Sequence, residues 1–293
     1  MLPSDILQAE HLGANYRVLS RVPFSTQIAD PFTGPREFGF KLTDEKTVST
    51  AVIVDTETTG LDHRTDEVIE IGMLLVGFDK DHQLCEIIAG LNDLQQPSQP
   101  LPDIIKQVTG LTDEELRGHS FDKEAVQRFM LRGDIVIAHN AGFDRPFYEK
   151  TFGDTGKIWA CSSRGDIDWR GLGYKSSGLE QILAAQGFFY DAHRASVDCA
   201  ATAWALFREP KALAQLISNA QQPQFLIRAV GAPFSVKDDL KANGYFWNAP
   251  AKVWEKEVVG HEAAANTLKS LDEIYDSRNA KLVERKPETK YRA

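Results

Sequence analysis

The chain has 293 residues, room for one large domain and a second small one, and its 42% hydrophobic and 26% charged residues are a globular composition. A formal net charge of −9 weighs against a general nucleic-acid coat, which needs Lys and Arg on phosphate, but suits an enzyme that gathers acids around cations. No apolar run approaches the roughly 20 residues of a membrane span, Met1-Leu2-Pro3-Ser4-Asp5 lacks a leader pattern, and Cys85, Cys161 and Cys199 are odd in number and far apart, which predicts a cytoplasmic protein with free thiols, no membrane association and no zinc site.

Residues 1–48 read as an N-terminal extension, with an edge strand over 16–23 and turns at Pro31, Gly34 and Pro35. A domain over 49–222 then opens on Ala51-Val52-Ile53-Val54. Four apolar residues, mostly β-branched, suit a strand covered on both faces. This strand runs into Asp55-Thr56-Glu57-Thr58-Thr59-Gly60. Side chains alternate along a strand, so Asp55 and Glu57 point the same way, where two carboxylates repel unless a divalent cation joins them. The same spelling recurs at Asp113/Glu115 and Asp122/Glu124. Those pairs lie in polar surroundings and read as acids at helix N-termini.

Strands over 67–78 and 84–91 continue an antiparallel meander. Helices begin after Pro102 and at the caps Thr112 and Ser120. A short strand over 134–138 closes on His139-Asn140. A helix over 143–152, a strand over 157–161, a helix from Ser177 and an Ala-rich helix over 195–207 follow. Strands first, then helices alternating with strands, predict an α/β domain with a mixed sheet flanked by helices. Gln221-Gln222-Pro223-Gln224 is the linker. Residues 223–280 predict a small α+β module of strand, helix, hairpin and long helix, and 281–293 a polar, frayed tail.

Two further segments carry chemistry. In His139-Asn140-Ala141-Gly142-Phe143-Asp144 a strand gives way to a helix, placing Asp144 at a helix N-terminus. In His193-Arg194-Ala195-Ser196-Val197-Asp198, Asp198 lies in the first turn of the Ala-rich helix and His193 in the loop before it. Each segment alone is compatible with an ordinary helix start. The small module interleaves Phe234, Tyr245, Trp247 and Trp254 with Lys237, Lys241, Lys252 and Lys256, and from Pro223 onward the charge balance turns slightly positive. Such a pattern suits either base stacking beside phosphate contacts or the core of a small domain.

In order and spacing, Asp-x-Glu-Thr-Thr-Gly, His-Asn-Ala-x-Phe-Asp and His-x-Ala-x-x-Asp resemble the three motifs of the DnaQ-like exonucleases with a DEDDh active site, over about residues 50–208. The resemblance implies a ribonuclease H-like domain. It implies a metal-dependent 3′–5′ exonuclease that releases nucleoside 5′-monophosphates from single-stranded DNA with two divalent cations, Mg²⁺ or Mn²⁺. Asp55, Glu57 and Asp198 would hold one ion, Asp55 would bridge to the second, Asp144 would assist through water, and His193 would be the general base. The backbone at Thr58, Thr59 and Gly60 would meet the terminal nucleotide, Leu61 would wedge against the last base, and Asn140 and Phe143 would add contacts. His139 is expected to be a structural hydrogen-bonding residue. The rival readings are an exoribonuclease acting on RNA ends or short oligoribonucleotides, and a catalytically idle module that binds nucleic acid or protein. A polymerase partner is compatible with the resemblance.

Overall fold

The computed structural model describes residues 17–29 and 33–292. In chain order, β1 (Ser20–Arg21), α1 (Ser25–Ala29) and β2 (Gly34–Lys41) precede the meander of β3 (Ser49–Thr58), β4 (Val68–Phe78) and β5 (Leu84–Leu94). Next come α2 (Asp103–Thr109), α3 (Asp113–Leu116), α4 (Lys123–Met130), β6 (Ile135–Ala138), α5 (Ala141–Phe152) and β7 (Trp159–Cys161). Then follow α6 (Leu179–Gln186), β8 (Phe188–Phe189), α7 (Ala195–Arg208) and α8 (Pro210–Ala220). The main sheet has the order β2-β5-β4-β3-β6-β7. Its β2, β5, β4 and β3 are antiparallel neighbours, while β6 and β7 continue parallel to β3. It is therefore the mixed, ribonuclease H-like sheet that the sequence predicts.

The strand β3 has apolar cover on both sides. Ala51 and Ile53 face a layer that includes Cys199, Ala200 and Ala203 of α7 and Leu213 of α8. Val52 and Val54 face the opposite layer, with Val126 and Phe129 of α4 and Phe147 of α5. Because β3 alternates, Asp55 and Glu57 continue the α7 side and Thr56 the α5 side.

The small module has a four-stranded sheet. It consists of β9 (Gln224–Ala229), a 3₁₀ turn at Phe234–Val236, α9 (Lys237–Ala242), β10 (Phe246–Asn248), β11 (Val253–Val259), α10 (His261–Ile274) and β12 (Lys281–Arg285). Its neighbours in the sheet run antiparallel in the order β10-β11-β9-β12. Ile227, Ala229, Leu240, Tyr245 and Leu271 form its core.

Several local expectations are corrected. The supposed extension 1–48 supplies β2, the edge of the main sheet, and Gly34 and Pro35 open that strand instead of a turn. An edge strand leaves one side of its backbone unpaired, so it tolerates proline. Pro31 and Tyr16 lie outside the described residues; of the strand expected over 16–23, only Ser20 and Arg21 pair, in parallel with Phe188 and Phe189 and apart from the main sheet. The cap of α4 is Asp122, whose side chain accepts the Ala125 N–H, and not Ser120. Thr112 does cap α3, in a capping box with Glu115. The tail is neither frayed nor fully polar in its setting. Lys281–Arg285 pairs with β9, and Lys290 is wholly buried.

Candidate active site

Asp55, Glu57 and Asp198 converge. Each offers a carboxylate oxygen, and these atoms lie within 4.8 Å of one another. The convergence depends on one missing side chain. Gly72 of β4 lies opposite Asp55 on β3, and a Cβ there would strike the Ala195 and Ser196 backbone. Without it, the start of α7 lies directly on the sheet. Cys199 marks the same contact, its thiol reaching the carbonyls of Ile53 and Gly72 at 3.5 and 3.3 Å. Asp198 therefore comes down beside Asp55.

Asp198 is held from two directions. Tyr190 donates its hydroxyl to Oδ1 at 3.0 Å, and the backbone N–H groups of His193 and Arg194 donate to Oδ2 at 2.9 and 3.1 Å. His193 takes a left-handed backbone, with φ of 71°, and is exposed. Such a conformation costs free energy in a residue other than Gly and marks sites where geometry matters. Here it turns the chain so that the amides of His193 and Arg194 grip Asp198, with the His193 side chain exposed.

Asp144 joins the cluster electrostatically but is not among the converging trio. Its Oδ1 accepts from the Thr56 amide at 3.1 Å and the Thr56 hydroxyl at 2.9 Å. Thus Thr56, on the α5 side of β3, links the fourth acid to the strand that carries the first two.

The electrostatics are those of anions forced together. Burial, and then the charges of Asp144, Asp198 and Glu57, push the Asp55 carboxyl well above its ordinary range. Burial and the Asp198 charge raise Glu57 to about 8. Burial raises Asp144 to about 7 against the opposing Thr56 hydrogen bonds, and Asp198 to about 6 against the Tyr190 bond. An oxygen-rich, mutually repelling cluster fits a hard divalent cation, which would relieve the repulsion.

Glu70 is the acid that sequence reading missed. It lies opposite Glu57 on β4 and is fully buried. Arg194 binds both its oxygens, through Nε at 3.1 to 3.3 Å and a terminal nitrogen at 3.0 Å, and the Ala195 amide donates to it at 3.2 Å. Glu70 thus anchors the start of α7 and occupies the nearest cation, leaving Asp55 and Glu57 without an ion pair among the described residues. A charged residue inside the apolar run Val68-Ile69-Glu70-Ile71 was the available signal.

The residues expected to contact substrate are variously exposed and braced. Leu61 is 86% exposed. Thr58 donates its hydroxyl to the Gly60 carbonyl, Thr59 Oγ1 accepts the Glu67 N–H, and the Thr59 N–H donates to the Glu67 carbonyl at 2.9 Å, so hydroxyls and backbone together brace the turn. A side chain at Gly60 would collide with the Asp66 carboxylate. Asn140 is exposed at the start of α5, while Phe143 is half-buried against Phe147, with ring centroids 4.8 Å apart. His139 Nδ1 lies 2.9 Å from the Ser162 hydroxyl, and burial pushes its imidazole down to about 4.

Among curated relatives, a DNA polymerase III PolC-type protein of Thermotoga maritima is 29% identical over 184 residues, 57% of this chain and 12% of that one. A DNA polymerase III subunit epsilon of Treponema pallidum is 37% identical over 95 residues, 32% of this chain and 41% of that one. The chain therefore spans less than half the length of either. Among solved structures, E. coli exonuclease I in complex with a dA16 oligonucleotide matches at 17% identity, over 62% of this chain and 48% of that one, with a TM-score of 0.41. The RNase_T exonuclease family model matches residues 52–206, from the strand that carries Asp55 and Glu57 through the helix that carries Asp198. The chain belongs to this exonuclease family.

Proposed function

We propose that the chain is a divalent-metal-dependent 3′–5′ exonuclease that removes nucleoside 5′-monophosphates from single-stranded DNA. The convergence of Asp55, Glu57 and Asp198, with the His193 amide bonded to Asp198, carries this reading. These three acids would hold a cation of the Mg²⁺ or Mn²⁺ type, with Asp144 adding negative charge for a second. Bound there, the metal would supply Lewis-acid polarisation and charge neutralisation at the scissile phosphate.

The chain's own groups do the rest. His193 is exposed and able to reach a water molecule, from which it takes a proton as that water attacks phosphorus. The bond to the 3′-oxygen of the penultimate nucleotide breaks, leaving a shortened strand with a 3′-hydroxyl and a free 5′-monophosphate. Exposed Leu61 would press on the terminal base, and Phe143 and Asn140 would add contacts. Relatives named as DNA polymerase III proteins favour DNA over RNA as substrate, and a polymerase as partner.

The test is degradation of 3′-labelled and 5′-labelled single strands of DNA and RNA, with Mg²⁺, with Mn²⁺ and with EDTA. Mononucleotides released from the 3′ end of DNA, in metal only, are expected. Asp55→Asn is expected to abolish the activity while the metal-free protein stays folded. Undiminished hydrolysis by that variant would remove Asp55 from the site, and faster cleavage of RNA would reassign the substrate.

A further inference from the structure

The small module presents a groove that the catalytic cluster does not use. It holds about 360 Å³ and is lined by Phe234, Lys237, Lys241, Trp247 and Trp254. The aromatic pattern of the sequence divides in the structure. Tyr245 is core, 5% exposed, and Trp254 packs partly against that core. Phe234 and Trp247 do not, at 80% and 49% exposed. Large aromatic surfaces are costly to leave in water unless something covers them.

The groove's geometry is that of a stacking platform. Trp247 and Trp254 are cross-strand partners on β10 and β11, with ring centroids 5.6 Å apart. Across from them, Lys237 and Lys241 lie one turn apart on α9, on the same helix face. The Lys237 ammonium lies 4.2 Å above the Phe234 ring, and the Lys241 ammonium 5.9 Å from Trp254. Among the described residues, no carboxylate lines the groove. Asp238 lies 3.8 Å from the Lys241 ammonium, and both side chains are exposed.

We infer that this groove is a second binding site for single-stranded nucleic acid, apart from the catalytic cluster. Exposed aromatic rings beside ammonium groups match unpaired bases beside phosphates. Duplex DNA offers no free base faces, and Lys binds phosphate as a point charge without demanding one geometry. The site holds the strand upstream of the end being trimmed. This purpose rests on the exonuclease reading; the binding itself does not.

The experiment titrates the full chain with a long oligothymidylate in EDTA, following tryptophan fluorescence and affinity at several salt concentrations. Trp247→Ala is expected to weaken binding about 5-fold or more, the loss of one stacked base, and to reduce the quenching. Trp247→Phe, which keeps an aromatic face, is expected to retain most of the affinity. Lys237→Ala combined with Lys241→Ala is expected to flatten the slope of log affinity against log salt by about 1.4, from two phosphate contacts. All variants are expected to hydrolyse dithymidylate in Mg²⁺ at the wild-type rate. Wild-type affinity and salt slope in both the Trp247→Ala and double-lysine variants would overturn the proposal. So would quenching by an acidic peptide stronger than by oligothymidylate, which would assign the groove to protein. A chain that cuts no strand, yet shows these variant effects, would sink the exonuclease reading and leave the groove standing.

Discussion

His193 is the residue whose role the geometry makes most testable. Its amide holds Asp198, and its side chain is exposed. Replacing only the ring should therefore spare the acidic cluster. His193→Asn is the cleaner variant, because Asn tolerates the left-handed backbone that Ala resists. Single-turnover hydrolysis in Mn²⁺ is expected to fall about 10² to 10⁴-fold while Mn²⁺ affinity is kept. A loss of Mn²⁺ affinity as severe as that of Asp198→Ala would make His193 a ligand and not a base. The acids make a second prediction. In EDTA, the folded cluster keeps protons that the unfolded chain releases near pH 4. With Glu57 raised to about 8, Asp144 to about 7 and Asp198 to about 6, folded protein binds more protons than unfolded between those limits. The cluster's contribution to stability is thus fully present below about pH 4 and is lost as pH rises towards 8. Melting in EDTA is expected to drop over this range relative to Asp55→Asn, and Mn²⁺ is expected to restore more at pH 8 than at pH 5. Parallel pH profiles for the two proteins would show that the cluster is not strained.

At the scale of elements, the site is an intersection of β3 with α7, and Gly72 sets how close they come. Gly72→Ala is expected to cost about 1 to 3 kcal/mol, the usual range for overpacking. It should also weaken Mn²⁺ binding, because Asp198 moves with α7. Thermal unfolding and Mn²⁺ titration of the variant check both, and unchanged values would mean that α7 adjusts without moving Asp198. The catalytic elements were legible because their periods differ. Ala51-Val52-Ile53-Val54 reads as a buried strand, and the turn residues after it mark its end. Cross-strand pairing was not legible. Nothing local to Glu70 says that it faces Glu57, or that Arg194 arrives from far along the chain to neutralise it.

At the scale of the molecule, the module and the catalytic domain are bound together through the last residues. Lys290 reaches Asp166 at 3.0 Å and the Asn219 carbonyl at 2.7 Å, with both charged side chains fully buried. Tyr291 donates to the other Asp166 oxygen at 2.7 Å. Buried Arg145, the neighbour of Asp144 on α5, donates to the carbonyls of Lys290 and Glu288 at 2.7 and 2.9 Å. Removing residues from Pro223 onward would thus strip partners from buried Asp166 and Arg145, so the catalytic domain is not expected to stand alone at full stability. Lys290→Met leaves Asp166 uncompensated and is expected to cost about 3 to 5 kcal/mol, with part recovered by adding Asp166→Asn. Denaturant unfolding of the single and double variants measures this, and a single variant as stable as wild type would show that the pair is dispensable.

By itself, the sequence singled out Asp55, Glu57, Asp144, Asp198 and His193 as candidates, and determined the alternation of elements that builds a mixed sheet. The elements follow from local residue types and periods, and the candidate set from the resemblance of three separated motifs to a known family. Only the tertiary structure decided that three of those acids meet while Asp144 is held by Thr56, that Gly34–Lys41 closes the sheet edge, that Phe234 and Trp247 stay exposed, and that a lysine near the chain's end is buried. The physical reason is common to all four. Burial, pairing and repulsion are set by groups distant in sequence, and a side chain's free energy depends on which of them the fold brings within a few ångströms.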